Sequence, residues 1–589
     1  MAVETADNKS LRTETIHTEN FPDNSATSLD QIDNEDLGRE FKWNLDVVSN
    51  LGALYLLVFA MVWGQVVPPS SIAFIARKFP TEVGNASWIA TAPTLILTAT
   101  SAVIGDLSDI FGRRWFLLCS CILGCAGMLV AGRANSLLTV IGGQVLNGLA
   151  QGGGFLSNHL LQEIVPRRYR PWGVAGSTFC SSFSFIGSPI IQGVLIQEGV
   201  GGVLDGWRIG LYLGAGLWAL AGATLFLLYH PGDRPNPENL PVPQRLAKLD
   251  FVGIFLVVGG LTLFMVGINY GDNPYPFSSA YVLGPMICGA VLLICFGLWE
   301  WMGTSTGVLP HALFHERNYS ITLLVRVVGG MALYGGQAYL PQVCVYVFGL
   351  GGLRTSVYQL PFSIATVWGA FASMGLLMIW KEVKLLVIAL MLIMGLGAGL
   401  VNLVKEDSNF VVWFFPSLFM GLGIGGEASL LSVVASLATL DHLIATAVCV
   451  STAFGSLGGI IALTMYNQIS SSKIRTIVPA KLSEAALEGG IPVATVPAFL
   501  GAYLSSNATA LREIPEVAES LLASTTKASR QGYADSFRYI WYVLIAWLGV
   551  SLIASVFFTS TKKYMTNVVA APVKEGKHHK SHDQGEKSV

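Results

Sequence analysis

Apolar residues run through this chain in long unbroken stretches separated by short polar breaks. They show neither the alternation of half-buried strands nor the one-sided stripe of soluble helices. The stretches fall at approximately 50–74, 87–106, 115–132, 137–160, 172–197 and 207–229. After a Pro-rich break they continue at 251–270, 280–300, 319–346, 355–380, 384–404, 410–435, 441–466 and 538–559. Each is near the ~20 residues an α-helix needs to cross a bilayer. Backbone groups in hydrocarbon must bond within their own segment, and the stretches are too long for barrel strands. The pattern therefore predicts an all-α integral membrane protein with about 14 transmembrane helices.

The polar remainder supplies orientation. Residues 1–46 are acid-rich (Glu14, Glu19, Asp23, Asp30, Asp33, Glu35, Asp36) and predict a disordered tail without a secretory-signal pattern. Residues 560–589, with Lys562, Lys563, Lys574, Lys577 and Lys580, predict a second solvated tail. With the N-terminus inside, Arg113, Arg114, Arg167, Arg168, Arg170, Arg234, Arg245, Lys248, Arg317, Lys381 and Lys384 fall in inner loops. The short outer loops hold only Arg77, Lys78, Arg133, Arg354 and Lys405, so both tails are expected in the cytosol. The sequons at Asn85 and Asn507 then lie outside as candidate glycosylation sites, and the one at Asn318 inside. Residues 468–537 form a long outer connection, helix-compatible at Ala480–Leu487 and Glu513–Tyr533. It reads equally as a lid or as a tolerated insertion.

Composition narrows the class. Of 589 residues, 52% are hydrophobic and 12% charged, about half the charged share of a soluble domain. The 35 basic and 37 acidic residues nearly cancel, which leaves no bulk field for nucleic acid. All eight cysteines fall within the stretches and make no metal-ligand pattern with histidine, so they read as packing residues. There is no phosphate-binding G-x-x-x-x-G-K-[ST] loop. No metal or cofactor is implied, and no span carries the paired acids or nucleophile of a membrane enzyme.

The specific motif lies between the second and third stretches: Gly105-Asp106-Leu107-Ser108-Asp109-Ile110-Phe111-Gly112-Arg113-Arg114. Gly105 permits a tight helix crossing, Gly112 turns the chain, and two arginines follow. Asp109 can meet the partial positive charge of a neighbouring helix N-terminus, and Arg113 can pair with Glu163 at the inner end of the fourth stretch. Together they form a cytosolic latch.

With Gly105, Leu107, Asp109, Gly112, Arg113 and Arg114 in the form G-x-L-x-D-x-x-G-R-[R/K], the chain resembles the major facilitator superfamily. Its span count resembles the fourteen-span drug:proton antiporter branch. Stretches such as Leu249-Asp250-Phe251-Val252-Gly253, Trp299-Glu300-Trp301 and Pro310-His311-Ala312-Leu313-Phe314 are similar to the fungal trichothecene efflux pump family. The resemblance, over roughly 45–572, implies two pseudo-symmetric six-helix bundles. These are expected at 47–230 and 303–559, with a cytosolic linker at 231–250 and an inserted helix pair at 251–302. It also favours the plasma membrane. Two positions depart from the family pattern. Gln144 stands where the exporter motif R-x-x-x-G has arginine, and the span-5 antiporter motif survives only as Pro189, a helix bend, and Gly193, a close contact.

An ionisable group inside a span is costly, so each is a functional hypothesis. Arg326 in span 9 and Glu427 in span 12 both lie on the order of 12–16 Å from the inner boundary at 1.5 Å per residue. They are expected to form a static pair or a proton-sensitive switch. His159 is a further proton-coupling candidate, although a hydrogen-bonded histidine near the inner surface is the favoured reading. Cargo in this architecture binds between the halves. Candidate lining groups are Trp63, Gln65, Gln144, Asn147, Gln151, Tyr334, Gln337 and Tyr339, a mixture of aromatic and neutral polar groups suited to a small amphiphilic organic molecule.

The expected function is secondary active export of a small organic toxin, drug or secondary metabolite by proton antiport with alternating access. The partners are protons and the lipid bilayer, and the protein is expected to act as a monomer. A siderophore-iron uptake carrier and a non-transporting membrane ligand sensor are the competing readings.

Overall fold

The computed structural model describes residues 44–79, 88–165, 169–202, 205–230, 250–271, 275–304, 307, 311–314, 316–350, 352–437, 439, 444–504 and 519–559. Those residues fold chiefly into α-helices, with a 3-10 turn at His311–Phe314. The first group is α1 (Leu45–Ser70), α2 (Ile72–Lys78), α3 (Trp88–Phe111), α4 (Arg113–Gly132), α5 (Leu137–Gly154), α6 (Leu156–Ile164), α7 (Arg170–Gln197) and α8 (Gly206–Leu228). Then come α9 (Phe251–Tyr270) and α10 (Ala280–Leu298), whose end continues as a π turn at Trp299–Gly303. The last group is α11 (Arg317–Tyr346), α12 (Gly352–Trp380), α13 (Val383–Val401), α14 (Phe410–Leu437), α15 (Ile444–Glu488), α16 (Val496–Leu504) and α17 (Glu519–Ser555).

Twelve helices among the described residues are long and apolar enough to cross a membrane. The two predicted spans outside that set are still helices, α3 and the pair α5–α6. In α5 the cause is visible: Gln144, Asn147, Gln151 and a run of glycines dilute its apolar character, and the helix breaks at Phe155. The predicted connection at 468–537 is largely helix too. α15 runs 45 residues without interruption and α17 runs 37, against the ~20 that a bilayer requires. Both continue past the apolar run, and with α16 they enclose a small core of Ala486, Ile491, Val496, Phe499 and Leu521.

Helices in the first group pack mainly on one another: α4 on α5 and α8, α3 on α5, and α1 on α7 and α8. The last group does the same through α12 on α14, α11 on α15, α13 on α14 and α15 on α17. The groups meet along α3–α15 and α7–α12, and α9 lies against both α3 and α15. Glycines set the closest crossings. A Cβ at Gly127 of α4 would lie 2.7 Å from the Gly143 carbonyl of α5, and Gly330 and Gly458 bring α11 and α15 backbone to backbone. Below, the end of the bundle at the α3–α4 turn is called the Gly112 end, and the end where α7 passes to α8 the Asp205 end.

Candidate functional site

At the Gly112 end, α3 and α4 join through one residue. Gly112 has φ 89, in the region that only glycine adopts freely, and donates its N–H to Ser108 O at 3.1 Å. Nothing lies within 4 Å of where its Cβ would be, so the requirement is conformational and not steric. Arg113 is buried. Arg114 reaches α8, where Nη2 donates to Phe226 O at 2.6 Å and the guanidinium sits 5.6 Å from the Phe226 ring centroid. Phe226 lies in the last turn of α8, so Arg114 satisfies a terminal carbonyl and opposes the helix dipole. The side chains of Asp109 and Glu163, the other latch members, lie outside the described residues, as do those of His159, Asn85 and Asn507; Gly105 is placed only as part of α3.

The Asp205 end carries a clasp that sequence reasoning missed. Asp205 takes Lys78 Nζ at 3.0 Å and Arg208 Nε at 2.8 Å. Arg208 also donates from Nη1 to Gly132 O at 2.7 Å, at the end of α4, and lies 4.6 Å from the Trp207 ring centroid. The bonds from Arg208 and Lys78 hold the Asp205 carboxyl below its usual range. The only signal in the sequence is an acid three residues before an arginine at a helix start. Asn318, whose sequon was expected inside, is buried; its amide bonds Thr559 through N–H at 2.9 Å and Oγ1 at 3.0 Å, tying the start of α11 to the end of α17.

Between these ends, the predicted lining residues divide into two sets. Gln65 and Tyr334 come together across the two helix groups, with Gln65 Nε2 donating to the Tyr334 hydroxyl at 3.2 Å. Gln337 lies one turn from Tyr334 and is half-buried. A second bond joins the groups, Thr178 of α7 to Ser429 of α14 at 3.1 Å. The aromatic contacts Phe179–Phe371 and Phe185–Phe362 lie along the same seam, and Gly193 faces the start of α12 at Leu353 and Ser356. Pro189 lies within α7, which remains one helix.

The other set faces inward within a group. Trp63 is buried and donates to Gly210 O at 3.0 Å. Gln144, Asn147 and Gln151 follow one face of α5 and are at most 1% exposed. Asn147 Nδ2 donates to Gly64 O at 2.8 Å and to Gln144 Oε1 at 3.1 Å. Tyr339 packs edge-on against Tyr466 and Phe537 in the core of the last group.

Arg326 and Glu427 are brought to one place without closing to ion-pair distance. Arg326 Nη1 donates to Ala428 O at 2.8 Å, the residue beside Glu427. The Glu427 carboxyl lies over Gly329 of α11, where any Cβ would collide with it, and its Oε1 has no hydrogen-bond partner. Gly455 of α15 leaves room for the guanidinium stem in the same way. A buried acid and a cation thus lie near each other where glycines of neighbouring helices make room for them.

The arrangement matches known transporters. A bacterial homologue of the human lysosomal transporter Spinster, inward-facing and unoccupied, superposes with TM-score 0.53 at 14% identity, covering 89% of this chain and 98% of that one. The proton:xylose symporter XylE, bound to 6-bromo-6-deoxy-D-glucose, gives TM-score 0.51 at 11% identity over 90% and 97%. These likenesses establish the major facilitator fold. By sequence, the MFS transporter L2 of Phoma sp. is 25% identical over 82% of this chain and 77% of its own. The trichothecene efflux pump TRI12 of Fusarium sporotrichioides is 24% identical over 82% and 81%. Residues 12–588 match the model of the fungal trichothecene efflux pump family, and the chain belongs to that family.

Proposed function

We propose that this protein exports a small, uncharged, amphiphilic toxin or secondary metabolite from the cytosol by alternating access, driven by proton antiport. The observation that carries the reading is the bond between Gln65 and Tyr334, which joins the two helix groups through neutral polar atoms. When the groups part at that point, an amide and a phenol face the opening, a pair suited to a hydroxyl or carbonyl on an otherwise apolar cargo.

In this reading 47–230 and 303–559 are the two moving halves, and the Gly112 end and both tails lie in the cytosol. The protein acts as a monomer in the plasma membrane and makes no covalent change to its cargo. Glu427 is the proton carrier: its carboxyl alternates between a neutral form and a charged form opposite Arg326 as the cavity changes sides. The neutral Gln144 leaves Glu427 and Arg326 as the charged pair available for coupling.

The test uses a trichothecene, the cargo class named for the Fusarium relative. Expressed in a pump-deficient host, the protein should lower intracellular trichothecene and raise resistance, and Glu427→Gln should abolish the dependence of efflux on the proton gradient. Accumulation that rises with the protein would identify uptake, and binding without counterflow in liposomes a sensor. Either result overturns the reading.

A further inference from the structure

The first helix group contains an unassigned polar seat at the crossing of α1, α4, α5 and α8. Its base is Gly64. A Cβ built there would lie 2.8 Å from Asn147 Oδ1, 2.9 Å from Met128 Cε and 3.2 Å from Trp218 Nε1. The acceptor on Asn147 and the donor on Trp218 therefore both lie beside the same point and are no further apart than two hydrogen bonds laid end to end. They do not bond each other: Asn147 Oδ1 and Trp218 Nε1 both lack a hydrogen-bond partner, and Asn147 and Trp218 are fully buried.

A third unpartnered atom, Gln144 Nε2, belongs to the amide whose oxygen accepts from Asn147. Trp218 packs its indole on Gly124, where any Cβ would collide with the ring, and Gly154 lies at the far end, where a Cβ would touch Cη2 at an ordinary 3.7 Å. A buried donor and a buried acceptor left unmatched are each costly, so a group able to satisfy both is favoured here.

We propose that the seat between Trp218, Asn147 and Gly64 binds one neutral hydroxyl group, which accepts from the Trp218 indole N–H and donates to Asn147 Oδ1. Two sources share that chemistry, water and the hydroxyl of a cargo. An ion is disfavoured, since no charged side chain contributes to the seat. Binding of water stands independently of the transport reading; binding of a cargo hydroxyl rests on it.

The indole ¹⁵N–¹H spectrum of the full-length protein in nanodiscs tests this, with the Trp218 resonance identified by its loss in Trp218→Phe. A cross-peak from the Trp218 N–H to the water resonance without cargo identifies water. Its loss on adding a trichothecene, with a displaced Trp218 resonance, identifies the cargo hydroxyl. Asn147→Leu should displace the Trp218 resonance and remove the cross-peak, as should Gly64→Ala, which places a methyl in the seat. Where Asn147→Leu does not fold, Gly64→Ala serves alone, its folding checked by a thermal melt. A Trp218 N–H with no water or cargo contact, or one unmoved in the folded variant, overturns the proposal. So does a high-resolution structure in which Trp218 Nε1 bonds directly to Asn147.

Discussion

Gly112 sits at φ 89 with open space around its missing side chain, so any Cβ there meets backbone strain and nothing else. Gly112→Ala should destabilise the protein by about 1–3 kcal/mol. Gly142 makes a matched control, since it is helical and also has nothing within 4 Å; Gly142→Ala should be neutral or stabilising by up to about 1 kcal/mol. Thermal melts in detergent compare the pair, and equal shifts would remove the conformational argument. Asp205 gives a signed pH prediction. Its pKa is depressed in the folded state, so its contribution is present above the unfolded value of about 4 and is lost as pH falls through the lower folded value. Asp205→Asn should therefore lower the melting temperature by a constant amount between about pH 5 and 8, and the gap should close in stronger acid. At this scale the sequence showed Gln144, Asn147, Gln65, Arg326 and Glu427 as polar groups where polarity is costly. It did not show Trp218 as a buried, unmatched donor or Arg208 as a bonding partner, because a tryptophan in an apolar run looks like bulk and an arginine at a helix start looks like an anchor.

Among the elements, apolar runs located helices reliably and helix ends poorly. Hydropathy registers solvent preference, and a helix that leaves the membrane does not stop being a helix. That is why α15 and α17 extend through much of 468–537. Outside the apolar run they are held by ordinary burial and by surface pairs such as Lys481–Asp535 at 2.8 Å. Phe499, fully buried, is the largest side chain of the small core there. Phe499→Ala should cost that unit about 3–5 kcal/mol. Hydrogen exchange should then accelerate within residues 478–504 and 519–535 while amides in α11 and α14 keep their protection. Exchange that rises equally throughout would mean that this extension is cooperative with the whole bundle and not a local unit.

For the whole molecule, the superfamily motif pointed to two halves, but a one-dimensional pattern cannot say which helices meet between them. The structure supplies that pairing, and with it two cross-group hydrogen bonds at different depths. Thr178 and Ser429 each lie about 12 Å from the Gly112-end termini of their helices, at 1.5 Å per residue. Gln65 and Tyr334 lie toward the other side, about 8 Å and 18 Å from the Asp205-end termini of theirs. A rocking motion that opens one end must break the bond nearer that end and can keep the other, so the two bonds oppose each other in the conformational balance. Each neutral bond is worth about 0.5–1.5 kcal/mol, enough to shift a two-state population by roughly two- to tenfold. Tyr334→Phe should therefore favour opening at the Asp205 end, and Thr178→Val opening at the Gly112 end. Spin-label distances between α7 and α12, measured at both ends, would read the two shifts with opposite sign. The double variant should return toward the starting distribution while interconverting faster. Shifts of the same sign would show that the two bonds hold the halves together as a single clamp and do not select between two states.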